Sequence, residues 1–170
     1  MSEISRYRTL VAFGSNLGNR ERAIDSALIG LRRLSVGYFA CSSWWSSEPA
    51  QMAADAGPFI NGAVAFDTEL APLDLLQALQ ALERSAGRPQ VHGVNESRVL
   101  DLDIIWYDDR TISLPSLVVP HPRALERLFV LMPVWELMPD LRLPGQTESL
   151  AALIALAPEM GLSRWSRQSD

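Results

Sequence analysis

Apolar and polar positions alternate along this chain in blocks with the periods of strands and helices. Tyr7 to Gly14 is almost continuously apolar and reads as a buried first strand. Ser15-Asn16-Leu17-Gly18-Asn19 is turn chemistry. Ile24, Ala27, Leu28, Leu31 and Leu34 then recur at helical spacing, which predicts a helix near Arg20 to Leu34, capped by Asn19 or Asn16. Gly37 to Ser47 predicts a second strand and Pro58 to Asp67 a third, and the intervening segment of about ten residues allows a long antiparallel hairpin. Pro72 opens a second helix at a position that tolerates proline, with Leu75, Leu76, Leu79 and Leu82 as its buried stripe and Gly87 as a left-handed cap. Glu83 stands in the last turn of that helix, where the dipole disfavours a carboxylate.

Beyond an irregular loop at residues 88–97, Arg98 to Trp106 reads as a central, well-covered strand, because apolar residues flank it on both sides. Tyr107-Asp108-Asp109-Arg110 is a turn into a short strand, Thr111 to Leu114. Ala124 to Leu137 predicts an apolar helix, with Pro133 near its start or kinking it, and Gln146 to Leu156 a last helix. Gly161 to Asp170 is polar and expected to fray. The order β-α-β-β-α-β, followed by a short strand and two helices, is a ferredoxin-like α+β plan with a mixed or antiparallel sheet. One domain is expected over residues 1–170.

The strand from Arg98 carries two aspartates two residues apart. Alternation puts Asp101 and Asp103 on one face and Leu100, Leu102 and Ile104 on the other. Carboxylates at that spacing lie about 6 to 7 Å apart and repel by about 2 to 3 kcal/mol at an effective dielectric near 20. A hard divalent cation offsets this, and magnesium takes one or two carboxylates together with substrate phosphates. A structural Asp–Arg pair is the plainer alternative. Arg88, Arg98, His121, Arg123 and Arg127 bracket the strand, and a carboxylate pair ringed by guanidiniums suits a polyphosphate. Taken singly, each of these arginines reads as an ordinary solvated one. No G-x-x-x-x-G-K-[ST] sequence occurs, so any nucleotide must bind without a P-loop.

Composition narrows the field only slightly. A net charge of −5 argues against general nucleic-acid binding. Cys41 is the single cysteine, which excludes an intrachain disulfide and a C-x-x-C metal site. The polar opening Met1-Ser2-Glu3-Ile4-Ser5-Arg6 and the lack of a long apolar run set a cytoplasmic protein with no membrane partner as the default expectation. A monomer is the default oligomeric state.

Several motifs then meet in order: Phe13-Gly14-Ser15-Asn16-Leu17-Gly18, Phe59-Ile60-Asn61-Gly62-Ala63-Val64, Glu83 through Gly87-Arg88, Arg98-x-Leu100-Asp101-Leu102-Asp103-Ile104, and Val119-Pro120-His121-Pro122-Arg123 with Arg127 and Phe129. From about Leu10 to Pro144 the chain resembles the 6-hydroxymethyl-7,8-dihydropterin pyrophosphokinases of folate biosynthesis. The resemblance implies a ferredoxin-like fold and transfer of the terminal diphosphate of ATP to the pterin hydroxymethyl group, releasing AMP. It implies that Asp101 and Asp103 hold two magnesium ions along the triphosphate, and that Arg88 and Arg98 grip phosphates. By the same resemblance, Gln80, Glu83, Arg98, His121, Arg127 and the backbone near Ile104 form the ATP site. Ser47, Phe59, Asn61 and Phe129, with Asp101, would meet the pterin.

The chain also departs from the family pattern. Asn95-Glu96-Ser97 precedes Arg98 where the family commonly has a proline-containing run, Gln90 stands where some members have a basic residue, and Ser47-Glu48-Pro49-Ala50 replaces Thr-x-Pro-hydrophobic. These changes bear on rate and loop closure rather than on the metal ligands. Two other readings compete: a non-catalytic or specialised pterin- or nucleotide-binding relative, and a two-metal nucleotidyl transferase or cyclase on a similar fold.

Overall fold

A computed structural model describes residues 3–48, 57–87 and 99–167 of the chain. Strand β1 (Tyr7–Ser15) forms antiparallel ladders with β4 (Phe59–Thr68) on one side and β5 (Asp101–Tyr107) on the other. β2 (Phe39–Cys41) and β3 (Trp45–Ser47) both pair with β4, and β3 also pairs with β8 (Leu162–Arg164). The sheet order is therefore β5-β1-β4-β3-β8, with β2 beside β3 on β4. β6 (Ile112–Leu114) and β7 (Leu117–Val119) form a separate hairpin.

Alternation along the strands feeds two cores. Val11, Phe13, Ile60, Val64, Phe66, Leu102 and Ile104 pack against helices α1 (Arg20–Leu34) and α2 (Pro72–Ser85). Leu10, Ala12, Ala63, Ala65 and Ile105 pack on the opposite face against α3 (Leu128–Leu137) and α4 (Leu150–Leu156). The result is an α+β fold with an antiparallel sheet between two helical layers. The side chain of Asn19 caps α1 by accepting from the Arg22 N–H at 3.1 Å. Gly87 follows α2 at φ +100°, as its position predicts.

Five expectations need correction. The second strand is broken into β2 and β3. Ser42 interrupts it: its N–H donates to the Ala63 carbonyl, and its hydroxyl takes over the Ala63 N–H at 2.9 Å, displacing the regular ladder. The Asp-x-Asp strand is an edge strand rather than a central one. It reads as central because its backbone groups find partners outside the sheet: the Leu102 N–H donates to Glu83 of α2, and the Ile105 carbonyl accepts the His121 N–H.

The helix expected at Ala124–Leu137 is divided into a 3-10 turn at Ala124–Glu126 and α3. Arg127 is extended between them, and Pro133 lies inside α3 rather than at its start. The last helix begins only at Leu150, because Ser149 caps it by accepting the Ala152 N–H. The C-terminal segment does not fray through Arg167. It contributes β8, and Trp165 donates its indole N–H to Glu21 at 2.7 Å. The hairpin strand β7 had no sequence signal separate from β6.

Candidate active site

Register places the site residues in rows across the sheet. Asp101 pairs with Gly14, Gly14 with Asn61, and Asn61 with Trp45. Directly paired residues project to the same face, so these four share the α3–α4 face. The next row, Asp103–Ala12–Ala63, lies on that face too. Asp101 and Asp103 are half-buried, with the Asp103 side chain 38% exposed.

At the carboxylate end, a register shift between Leu10 and Val11 skips Ile105 in the pairing with β1. The Ile105 carbonyl instead accepts the His121 N–H at 3.1 Å, fastening the Pro120–Arg123 segment to the metal-type strand. His121 Nδ1 accepts from the Arg123 N–H at 3.2 Å. In the neutral ring this assigns the proton to Nε2, which faces Asp103 Oδ1 at 4.0 Å. Burial, and then Arg127, hold the His121 pKa below its usual value, while Asp101 pulls the other way. Arg127 is half-buried and its guanidinium lies 5.7 Å from the centre of the Phe129 ring. Phe129 itself packs on the α3–α4 core.

At the other end, Asn61 and Ser47 are both buried, and the Asn61 amide donates to Ser47 Oγ at 2.6 Å. Gly14 sits between the two ends, where a larger residue would be tight. A Cβ there would fall 3.2 Å from Asn61 Oδ1 and 3.7 Å from the Phe59 ring. The structure thus gathers Asp101, Asp103 and His121 at one end of a face, and Ser47, Asn61 and Phe59 at the other. Glu83 is buried, and its carboxylate accepts the Leu102 N–H at 3.0 Å. Ile104 packs in the α1–α2 core. Gln80 stands apart, exposed on α2 against the opposite layer. Arg88 and Arg98, like Gln90, Pro49 and the Asn95-Glu96-Ser97 departure, lie outside the described residues.

Two contributors had no sequence signal of their own, Trp45 in the Asn61 row and Glu136, while Gly14 stood in a motif whose role as a close approach only the structure shows. The Glu136 carboxylate accepts the Trp45 indole N–H at 2.7 Å and the Ser43 N–H at 3.1 Å, tying α3 to the sheet.

A carboxylate pair of the kind that takes a divalent ion thus shares a face with a buried amide–hydroxyl pair of the kind that takes a flat polar ring, a chemistry compatible with phosphoryl-group transfer. The profile of the 7,8-dihydro-6-hydroxymethylpterin-pyrophosphokinase family matches residues 10–139. The chain is 43% identical over 159 residues to the 2-amino-4-hydroxy-6-hydroxymethyldihydropteridine pyrophosphokinase of Pseudomonas aeruginosa, covering 92% of this chain and 96% of that one. It is 36% identical over 136 residues to the enzyme of the same name from Haemophilus influenzae, covering 79% and 84%. A crystal structure of Plasmodium falciparum HPPK-DHPS with pterin and p-hydroxybenzoate superposes with a TM-score of 0.69 at 13% identity, over 91% of this chain and 42% of that one. This chain thus spans less than half of that protein. The chain belongs to the 7,8-dihydro-6-hydroxymethylpterin-pyrophosphokinase family.

Proposed function

We propose that the face carrying Asp101, Asp103, Asn61 and Ser47 is where this chain carries out the reaction of its family. The chain is an ATP-dependent pyrophosphokinase of folate biosynthesis, which transfers diphosphate from ATP to the hydroxymethyl group of 6-hydroxymethyl-7,8-dihydropterin. The observation that carries the assignment to this face is the cross-strand row Asp101–Gly14–Asn61 with the Asn61–Ser47 hydrogen bond at its far end. A member of an ATP-using family works with magnesium, and the donor set fits. Two half-buried carboxylates on one face leave the remaining coordination positions to phosphate oxygens and water. We read the number of ions as two, held by Asp101 and Asp103 along the triphosphate.

In the reaction, the pterin hydroxyl oxygen attacks the β-phosphorus, the bond from that phosphorus to the α–β bridging oxygen breaks, and AMP leaves. Magnesium, when bound, neutralises charge on the phosphates. Asn61 and Ser47 hold the polar edge of the pterin, and Phe59 and Phe129 meet its apolar faces. Asp101 lies beside the hydroxymethyl group. The hydroxyl proton passes to Asp101 or to metal-bound water. His121, with Nε2–H aimed toward the carboxylate end, and Arg127 contact ATP. Gln80, Glu83 and the backbone near Ile104 are read as reaching the nucleotide from the α2 side of β5 rather than from this face. Arg88 and Arg98 are read as the cations that neutralise charge as the diphosphate moves.

The strand order also supports a ferredoxin-like core in which β2 and β3 together act as the second strand. We read residues 1–170 as one domain and the protein as a monomer. Chromatography of a mixture of protein, ATP, magnesium and the pterin tests the function. AMP and pterin diphosphate are expected in equal amounts, only with magnesium. Tight binding of both substrates without turnover would overturn catalysis in favour of a binding role.

A further inference from the structure

We propose that the C-terminal segment Leu162–Arg167, which lies beyond the family match ending at residue 139, is a positioning strap for the pterin half of the site. This rests on the assignment of Ser47, Phe59 and Asn61 to the pterin. The strap reaches the backbone around each of these residues by a separate route. Leu162 pairs with Ser47 in the β3–β8 ladder. The Trp165 indole lies under Arg20, whose guanidinium is 4.8 Å from the ring centre and donates to the Pro58 carbonyl at 2.6 Å, one residue before Phe59. Arg167 stacks on Trp44 at 4.1 Å, and Trp44 meets the Phe13 ring edge-on at 6.2 Å. Phe13 in turn fills the space a side chain on Gly62 would occupy, next to Asn61.

The strap is anchored to α1 as well as to the sheet. The Trp165 N–H donates to the Trp44 carbonyl at 2.8 Å, its indole donates to Glu21 at 2.7 Å, and Arg167 pairs with Asp25. These links tie the edge that carries Ser47 to the start of the helix following the Ser15–Asn19 turn. The carboxylate end lies at the opposite edge of the sheet, and the Leu162 and Trp165 links do not extend to it; only the Arg167 route comes near, through Phe13, which pairs with Leu102. A small displacement of a binding group far from the reacting atoms is costly to binding and turnover. Loosening the strap therefore acts on the pterin and spares ATP.

The test is steady-state kinetics of Trp165→Ala, with pterin varied at saturating magnesium–ATP and ATP varied at saturating pterin. A rise of about fivefold in the pterin KM, with the ATP KM within about twofold of wild type, is expected from the loss of one anchoring hydrogen bond and a stacked ring. An unchanged pterin KM, or equal rises in both, would overturn the strap. A general loss of stability does not produce that split. Trp165→Phe keeps the ring and loses the bond to Glu21, so it carries the same test with a smaller expected split if the alanine variant does not fold. Asn61→Ala in the same assay tests the pterin assignment separately. An unchanged pterin KM there would overturn that assignment, while the strap is judged on the Trp165 variants alone.

Discussion

The buried carboxylate of Glu83 accepts the backbone N–H of Leu102, the residue between the two aspartates, at 3.0 Å. A helix end is thereby fixed to the open side of an edge strand, which otherwise presents unpaired backbone groups. Replacing Glu83 with alanine strands a buried donor and is expected to cost about 1 to 3 kcal/mol of stability. Glutamine keeps an accepting oxygen and should cost no more than about 1 kcal/mol. Urea unfolding of the two variants checks this. Equal losses would show that charge, rather than the bond to Leu102, matters at this position.

Asp103→Asn removes one of two like charges from a half-exposed position. Stability should stay within about 0.5 kcal/mol of wild type, while turnover falls by about a hundredfold or more, since it removes an anionic ligand where phosphate charge is neutralised. A chelator should abolish turnover of the unaltered protein without shifting its melting temperature. Near-normal turnover in Asp103→Asn would remove the carboxylate pair from the metal site.

Gly62→Ala should destabilise the protein by about 1 to 3 kcal/mol through overpacking. The added Cβ would lie 2.3 Å from the Phe13 ring, which is buried and cannot swing away. Thermal unfolding measures it, and a neutral result would mean the ring shifts freely.

Tyr107 supplies a pH signature. Its side chain is buried, its hydroxyl donates to the Leu70 carbonyl at 2.6 Å, and burial raises its pKa from 10.0 to about 12. The folded state then holds the proton where the unfolded chain releases it. The stabilising contribution is full below pH 10 and is lost as pH rises through about 12. All fifteen basic side chains are arginine, so no lysine titrates in this window. Cys41 is also raised by burial and moves stability in the same direction, so the comparison is between wild type and Tyr107→Phe. The variant should show a shallower decline in stability between pH 10 and 12, followed by chemical denaturation.

Much of this was legible in the residue pattern. The 3.6 period placed α1 at its observed bounds, and Pro72 and Gly87 bracketed α2. The period of two put Asp101 and Asp103 on one face. Pattern alone failed where burial came from a distant partner. The β5 strand is flanked by apolar residues like a central strand, because Glu83 of α2 and the His121 backbone supply partners that the sheet does not. Glu83 read only as a carboxylate at odds with the helix dipole, and its bond to Leu102 went unseen because that partner is a backbone group nineteen residues away. Ser42 carries nothing in its type to announce that its hydroxyl replaces a ladder bond. Trp165 and Arg167 looked like a polar tail because their partners Glu21, Asp25 and Trp44 are remote in sequence.

The Asp101–Gly14–Asn61 row has one further consequence. Its members sit on adjacent strands, so the span between the carboxylate and the amide is two ladder steps, about 9 to 10 Å. That length is set by backbone hydrogen bonding and no side chain can stretch it. On the proposed assignment, the sheet thus serves as a ruler between the phosphate and pterin halves. Sequence can drift as far as the 13% identity of the Plasmodium structure while the fold is kept.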